Sequence, residues 1–336
     1  MDTNPTIVFS APKQVVIEEL EVPVPDPDEL LIRTRRSLIS TGTELTVLKR
    51  ESGEKSAWAT YGRFPFKPGY NNVGEVVDVG KNVDSAYIGK RVGTYGRHAR
   101  YVTMAADHAR SIPPDSITDD HAAFFTIAEI VMNGVRRGEV IWGEHVVIYG
   151  AGLLGQLTAR LCRLAGARPV FVVDLADSRL SLLPDDPRII PINPKKDDLV
   201  ATVKEHTRDR MADVVFEVTG NGKLIPEEPS SLKAQGRFVI LSSPDGVSQF
   251  DFFDLCNSPS YTIIGAHNFS HPPVETPGNP WTQHRHTEMF FDLLAEGSID
   301  IERLVSRRSP YTDAPDIYRE LLEDRTQAMG IVLEWD

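Results

Sequence analysis

The stretch from Val146 to Arg179, VVIYGAGLLGQLTARLCRLAGARPVFVVDLADSR, decides the fold. The apolar run Val146-Val147-Ile148-Tyr149 reads as a buried parallel strand. Gly150-Ala151-Gly152-Leu153-Leu154-Gly155 follows directly and fits G-x-G-x-x-G. Leu154, Leu157, Leu161 and Leu164 then recur at helical spacing and predict the core face of a helix. A second apolar run, Val170 to Val173, ends on Asp174. Gly150 allows a tight strand-to-helix turn, Gly152 lets a pyrophosphate approach the backbone, and Gly155 lets the helix sit close to the sheet. Asp174 lies 24 residues beyond Gly150, near the spacing of about 20 expected for a carboxylate that accepts hydrogen bonds from the adenosine ribose. Its charge repels a 2′-phosphate, so NAD(H) is expected over NADP(H). Arg179 is the counterweight, since an arginine there could accommodate the phosphate.

The 336 residues suggest about two domains. A hydrophobic fraction of 41% can supply real cores. The net charge of −12 argues against a nucleic-acid or anionic-membrane surface. Cys162 and Cys256 are the only cysteines; two cannot build a disulfide framework or a four-cysteine zinc site. No N-terminal signal pattern and no apolar run of about 18 residues is present, so the expectation is a soluble cytoplasmic protein.

Residues 1–127 read as an irregular β-rich domain, with short runs at Val15–Ile17, Leu30–Ile32, Val73–Val79 and Tyr101–Met104 between Pro, Gly and Asp punctuation. Residues 128–265 change character: strand-like runs at 146–149, 170–173, 214–218, 238–241 and 261–264 alternate with helical stretches, the pattern of a doubly wound parallel sheet. These runs end in Thr219-Gly220, Ser242-Ser243 and Gly265-Ala266, residues suited to a ligand crevice at strand C-termini. Residues 266–280 are proline-rich and irregular. Helices are expected at Thr282–Glu296, with Met289, Phe290, Leu293 and Leu294 inward, and at Ala314–Glu323. A strand-like Gly330–Trp335 closes the chain, and residues 266–336 are expected to complete the N-terminal domain.

Four blocks, in the right order, resemble the medium-chain dehydrogenase/reductase superfamily over nearly the full length, especially its polyol (sorbitol-type) dehydrogenases. They are STGTE at 40–44, KPGYNNVGEVVDVG at 67–80, AAFFTIAEIVMNGVRRG at 122–138 and VVDLADSRL at 172–180. The resemblance implies an α/β chain in which a Rossmann doubly wound parallel sheet is inserted into a GroES-like β-rich catalytic domain. It also implies a homodimer joined by edge strands. The zinc-free, bacteriochlorophyllide dehydrogenase-like subgroup is the most similar. The family's catalytic zinc ligands fall on Thr41, Tyr70 and Thr126, none of which is a normal zinc ligand, and the cysteine-rich structural lobe is absent at 91–102. No metal is expected.

The resemblance places Thr43 where relatives carry a hydroxyl that touches the substrate oxygen, and Glu44 where an acid orients the ligand histidine. Glu44 is expected beside Tyr70, giving a proton path that replaces the metal. Each has a plainer reading: a turn hydroxyl for Thr43, a packed aromatic for Tyr70, a surface carboxylate for Glu44. His98, in the loop replacing the lobe, and His267, after the last sheet strand, are further candidates for substrate contact; a surface histidine is the other reading of His98. Trp281, Arg285 and His286 could cap a cleft, or simply lie on a helix surface. The cofactor residues expected are Gly150, Gly152, Leu153, Leu154, Gly155, Asp174, Arg179, Thr219, Gly220, Ser242, Ser243 and Gly265. The activity these imply is a zinc-independent, NAD(H)-dependent interconversion of a secondary alcohol (a sugar, cyclitol or similar polyol) with its ketone. An enoyl or quinone reductase, a redox-neutral epimerase or eliminase using bound NAD, and a non-catalytic NAD-binding protein remain open.

Overall fold

The computed structural model describes residues 3–53, 56–113 and 117–336. The chain forms two compact units, Ala128–Thr282 and Met1–Ile127 with Gln283–Asp336.

The first unit is built on six parallel strands: β1 (Val146–Tyr149), β2 (Val170–Val173), β3 (Ile189–Ile192), β4 (Ala212–Glu217), β5 (Leu232–Ile240) and β6 (Thr262–Gly265). Their order in the sheet is β3-β2-β1-β4-β5-β6, the doubly wound order, which reverses direction between β1 and β4. All four residues of β1 and all four of β2 are buried, as strands covered on both faces must be. Edge strand β3 was not foreseen. Its sequence, IIPI, carries Pro191, which an edge tolerates because one side of the strand has no partner needing its missing N–H.

Helix α1 (Leu153–Leu164) follows the glycine loop. Its leucine stripe is only half as expected: Leu157 and Leu161 are buried, Leu154 is half-buried and Leu164 is exposed. The helix is enclosed over a wider arc than one stripe, because polar residues bury with their needs met. Gln156 Nε2 donates to the Arg179 carbonyl at 2.8 Å, and Arg160 Nη1 donates to Gln156 Oε1 at 2.9 Å.

This unit runs past residue 265, where the sequence placed its end, through Thr282. The proline-rich loop is tied to the helix Phe125–Arg137. Asn133 Nδ2 donates to the His267 carbonyl at 3.1 Å and to Ser270 Oγ at 2.8 Å, and the Arg136 guanidinium stacks 3.2 Å over the Trp281 ring.

The second unit holds a seven-stranded sheet and a two-stranded hairpin, Thr3–Ala11 with Gln14–Glu21. The C-terminal strand Gly330–Glu334 pairs antiparallel with Glu29–Ile39, so residues from both ends of the chain share one sheet. Helix Ala314–Glu323 buries Ala314, Ile317, Tyr318 and Leu321 against the same core as Ile7, Phe9 and Leu333. In helix Gln283–Ala295, Phe290 and Phe291 are inward and Met289 is exposed; His286, expected on a surface, is buried. No helix among the described residues is long and apolar enough to cross a membrane.

Candidate active site

The parallel-sheet unit gathers the expected cofactor residues at the C-terminal ends of its strands. Gly150 takes φ +107, a conformation that a side chain would strain. A Cβ on Gly155 would lie 1.8 Å from the Gly150 carbonyl oxygen, so only glycine lets α1 meet the loop. A Cβ on Gly152 would meet nothing within 4 Å: that side of the loop is open. Gly152 is also the N-cap of α1 and makes no side-chain cap, which leaves the first-turn N–H groups for an anionic ligand. An open glycine at an uncapped helix start fits a pyrophosphate.

Asp174 closes β2. Its Oδ2 accepts from the Ala151 N–H at 2.8 Å and its Oδ1 from the Ala176 N–H at 2.9 Å. The acid is thereby fixed against the glycine loop. Arg179 Nη1 lies 3.9 Å from Asp174 Oδ2, so the two residues expected from the sequence to bear on the 2′ position stand side by side. Thr219 and Gly220 follow β4, and Ser242 and Ser243 follow β5. The Glu217 carboxylate, fully buried and absent from the expected set, ties Thr219, Gly220 and Ser242 together. Gly265 and His267 are exposed at the end of β6; His267 Nδ1 accepts from the Phe269 N–H at 3.2 Å.

The β-rich unit holds a separate polar cluster. Tyr70 follows Gly69 (φ +107), and its hydroxyl pairs with Ser40 Oγ and donates to Thr43 Oγ1 at 3.2 Å. Three hydroxyls therefore meet at one point. Burial pushes the Tyr70 phenol up to about 12; the Ser40 and Thr43 hydroxyls pull it down, and the Glu44 charge pushes it further up. The phenol is neutral near pH 7.

Glu44 does not turn to Tyr70. Its buried carboxylate accepts from the Tyr318 hydroxyl, from His98 Nε2 at 3.2 Å and from the Ser40 N–H at 3.1 Å. His98 is fully buried and is not a surface residue; its ring is taken up by hydrogen bonds within the unit. Its Nδ1 lies 2.8 Å from Ser37 Oγ, which accepts from Trp335 Nε1 at 2.9 Å. The Ser37 proton is then free to go to Nδ1, which leaves the Nε2 proton for Glu44. Among the described residues, the Glu44 carboxylate hydrogen-bonds to the hydroxyl cluster through the Ser40 backbone and not through a hydroxyl of Tyr70, Ser40 or Thr43. Sequence reasoning missed Ser40, Tyr318 and Trp335; Ser40 alone had a local signal, as the first residue of STGTE.

Residues 154–277 match the family model described as zinc-binding dehydrogenase. The L-threonine 3-dehydrogenase of Deinococcus radiodurans is 30% identical over 267 residues, covering 70% of this chain and 74% of that protein. The chain belongs to the medium-chain, zinc-type alcohol dehydrogenase-like superfamily. Another member of the superfamily, the D-guloside 3-dehydrogenase of Escherichia coli K12, is 24% identical over 96% of this chain and 97% of its own. Two solved structures share the fold. An Escherichia coli alcohol dehydrogenase complexed with NADH matches with TM-score 0.83 at 17% identity, over 99% of this chain and 100% of that one. A Sinorhizobium meliloti protein, described as a candidate zinc-binding dehydrogenase and bound to NADP, matches with TM-score 0.81 at 22% identity, over 99% and 100%.

Zinc is implied by the superfamily's description, and the residues present do not fit it. At the three positions that resemblance aligns with zinc ligands, Thr126 Oγ1 donates to the Tyr70 carbonyl at 2.9 Å and the Tyr70 hydroxyl is held by Ser40 and Thr43. Neutral hydroxyls of Thr41, Tyr70 and Thr126 are not the Cys, His, Asp or Glu donors zinc takes.

Proposed function

We propose that this chain is a zinc-independent, NAD(H)-dependent oxidoreductase that interconverts a secondary alcohol of a sugar, cyclitol or similar polyol with its ketone, in the manner of the zinc-free, bacteriochlorophyllide dehydrogenase-like members of its superfamily. The observation that carries the reading is the meeting of the Tyr70, Ser40 and Thr43 hydroxyls at the position where relatives hold their metal. Its closeness to relatives named as threonine and guloside dehydrogenases supports an alcohol substrate. The fold and the open glycine loop support a nicotinamide cofactor.

When bound, NAD⁺ supplies the hydride acceptor. The remaining work is proton transfer and positioning at the substrate oxygen. Tyr70 hydrogen-bonds that oxygen. In ketone reduction its neutral phenol donates the proton; in alcohol oxidation the small fraction that has released its proton to solvent, a fraction that grows with pH, takes the substrate's proton, and the Ser40 and Thr43 hydroxyls stabilise that phenolate oxygen. Glu44 is not the proton acceptor in this scheme. Its charge raises the Tyr70 pKa and so favours the donating form. It acts instead by holding the Ser40 N–H, and with it the turn that presents both hydroxyls. His98 and Tyr318 hold Glu44 in turn. His267, exposed at the end of β6, remains a candidate substrate contact. Asp174, fixed on the glycine loop, favours NAD(H). Edge strand β6 is the surface through which a homodimer would form, hiding its open side.

Arg179, beside Asp174, favours a second reading, an NADP(H)-dependent reductase of the enoyl or quinone kind. A panel of polyols and secondary alcohols with NAD⁺ and NADP⁺, on protein analysed for metal, separates the two. Turnover of an alcohol with NAD⁺ by zinc-free protein is the expected result. Reduction of enones or quinones alone, with NADPH, supports the second reading. One tightly held zinc per chain, removed by chelator together with activity, overturns zinc independence.

A further inference from the structure

Glu217 ends β4 with its carboxylate fully buried, and among the described residues it forms no ion pair. A buried carboxylate without a cation is costly unless hydrogen-bond donors surround it. Here four do. Oε1 accepts from the Thr219 N–H at 2.7 Å, the Thr219 hydroxyl at 2.8 Å and the Gly220 N–H at 2.8 Å; Oε2 accepts from the Ser242 hydroxyl. The Glu217 main chain adds to the same tie, its carbonyl accepting from the Leu241 N–H at 3.1 Å and the Ser242 N–H at 3.2 Å.

These donors come from two segments. Thr219-Gly220 leaves β4, and Ser242 leaves its parallel neighbour β5. Thr219 Oγ1, while donating to Glu217, accepts the Asn221 N–H at 3.0 Å, which carries the tie one residue further. Gly220 has φ +72, so the turn leaves the strand in a conformation that bends it sharply. Gly150, at the neighbouring strand end, packs against this turn: a Cβ there would meet the Val218 carbonyl and the Thr219 N at 3.2–3.3 Å. The position of Thr219 thus bears directly on the glycine loop.

We propose that Glu217 is a positioning residue for the dinucleotide: one buried carboxylate clips the loops after β4 and β5 into a single wall beside the glycine loop. This rests on the reading of that loop as a nicotinamide dinucleotide site. Without the carboxylate, two backbone N–H groups and two hydroxyls lose their acceptor, and the loops are free to drift apart before cofactor binds. The ordering then has to be supplied on binding, which weakens affinity.

The test is equilibrium binding of NAD⁺ and NADP⁺ to the full chain by calorimetry, with folding checked by circular dichroism. Glu217→Ala is expected to weaken binding of the preferred dinucleotide about tenfold to a hundredfold, the loss of a small set of buried hydrogen bonds. Glu217→Gln keeps an acceptor oxygen for Thr219 and Gly220, and its amide can donate to the Ser242 hydroxyl, so it should recover affinity to within about threefold of wild type. A merely structural role predicts lower stability in Glu217→Ala with unchanged affinity in the folded protein. If Glu217→Ala does not fold, Ser242→Ala and Thr219→Val each cut one side-chain tie to Glu217, the latter also removing the acceptor of the Asn221 N–H, and each should weaken binding several-fold. Wild-type affinity in folded Glu217→Ala, or in both single-tie variants, overturns the proposal. Wild-type protein that binds neither dinucleotide overturns the parent reading, and this one with it.

Discussion

The stability of Glu228→Gln relative to wild type should rise with pH. Glu228 is 1% exposed, and among the described residues neither of its carboxylate oxygens has a hydrogen-bond partner. Burial, then the charges of Glu217 and Glu227, push its pKa up to about 9 from an ordinary 4.5. The folded protein therefore keeps a proton that the unfolded chain gives up. Folding binds more protons than unfolding, so the contribution is fully present below about pH 4.5 and is lost as pH rises towards 9. The limiting slope is about 1.4 kcal/mol per pH unit. Between pH 5 and pH 8 that limit is about 4 kcal/mol; local relaxation and water entry reduce such penalties, so about 1–3 kcal/mol is expected. Glutamine keeps the shape and removes the titration. Its amide adds buried donors at a cost of about 1–3 kcal/mol, but that cost does not change with pH. The slope, not the absolute difference, is therefore the observable. Urea unfolding of both proteins at pH 5, 7 and 9 measures it. A stability difference that stays constant across this range would refute the reasoning and would mean that Glu228 is ionised or hydrated in the native state.

Tyr70→Phe should lower kcat for the true substrate about 10²–10⁴-fold with dinucleotide affinity unchanged, and should abolish the rise of alcohol oxidation with pH that a phenol near 12 produces; steady-state kinetics against pH checks both. Retention of near-full kcat would leave Tyr70 as packing and turn attention to His267. Asp174→Ala should narrow the preference for NAD(H) over NADP(H), and Arg179→Ala should widen it, as measured by dissociation constants for both cofactors. Tighter binding of NADP(H) by the wild type would mean that Arg179 outweighs its neighbour. Light scattering should find a dimer; a species of 37.4 kDa alone counts against pairing through β6.

The parallel-sheet unit and its glycine loop were legible because their constraints are local. Gly150 and Gly155 are forced by a left-handed turn and a 1.8 Å clash, and Gly152 between them leaves the approach open, all within six residues. Asp174 answers to the same loop through the Ala151 N–H. The end of this unit was misplaced by the rule that a sheet domain stops at its last strand. Asn133 and Arg136 hold the loop beyond β6, and nothing in their composition announces it. Glu217 was hidden for a different reason: a strand ending in an acid looks solvated until its donors are seen to converge from two loops. His98 was hidden by distance along the chain, since Ser37, 61 residues away, and Glu44, 54 away, decide that it is buried.

The same distance explains why Glu44 was assigned the wrong neighbour. The analogy with zinc-bearing relatives places the acid beside whatever replaces the metal-binding histidine, which here is Tyr70. A buried carboxylate, however, goes where donors satisfy it. The Tyr70 hydroxyl already has Ser40 and Thr43. Tyr318, 274 residues from Glu44, offers a hydroxyl whose own pKa is raised well above the ordinary value by burial and by that same acid. Such a phenol stays protonated and can only donate or accept a hydrogen bond near neutral pH. Tyr318 therefore holds Glu44 as a neutral donor, and Tyr70, the half-buried one of the two phenols, is the one that the proposed mechanism uses to exchange a proton with substrate.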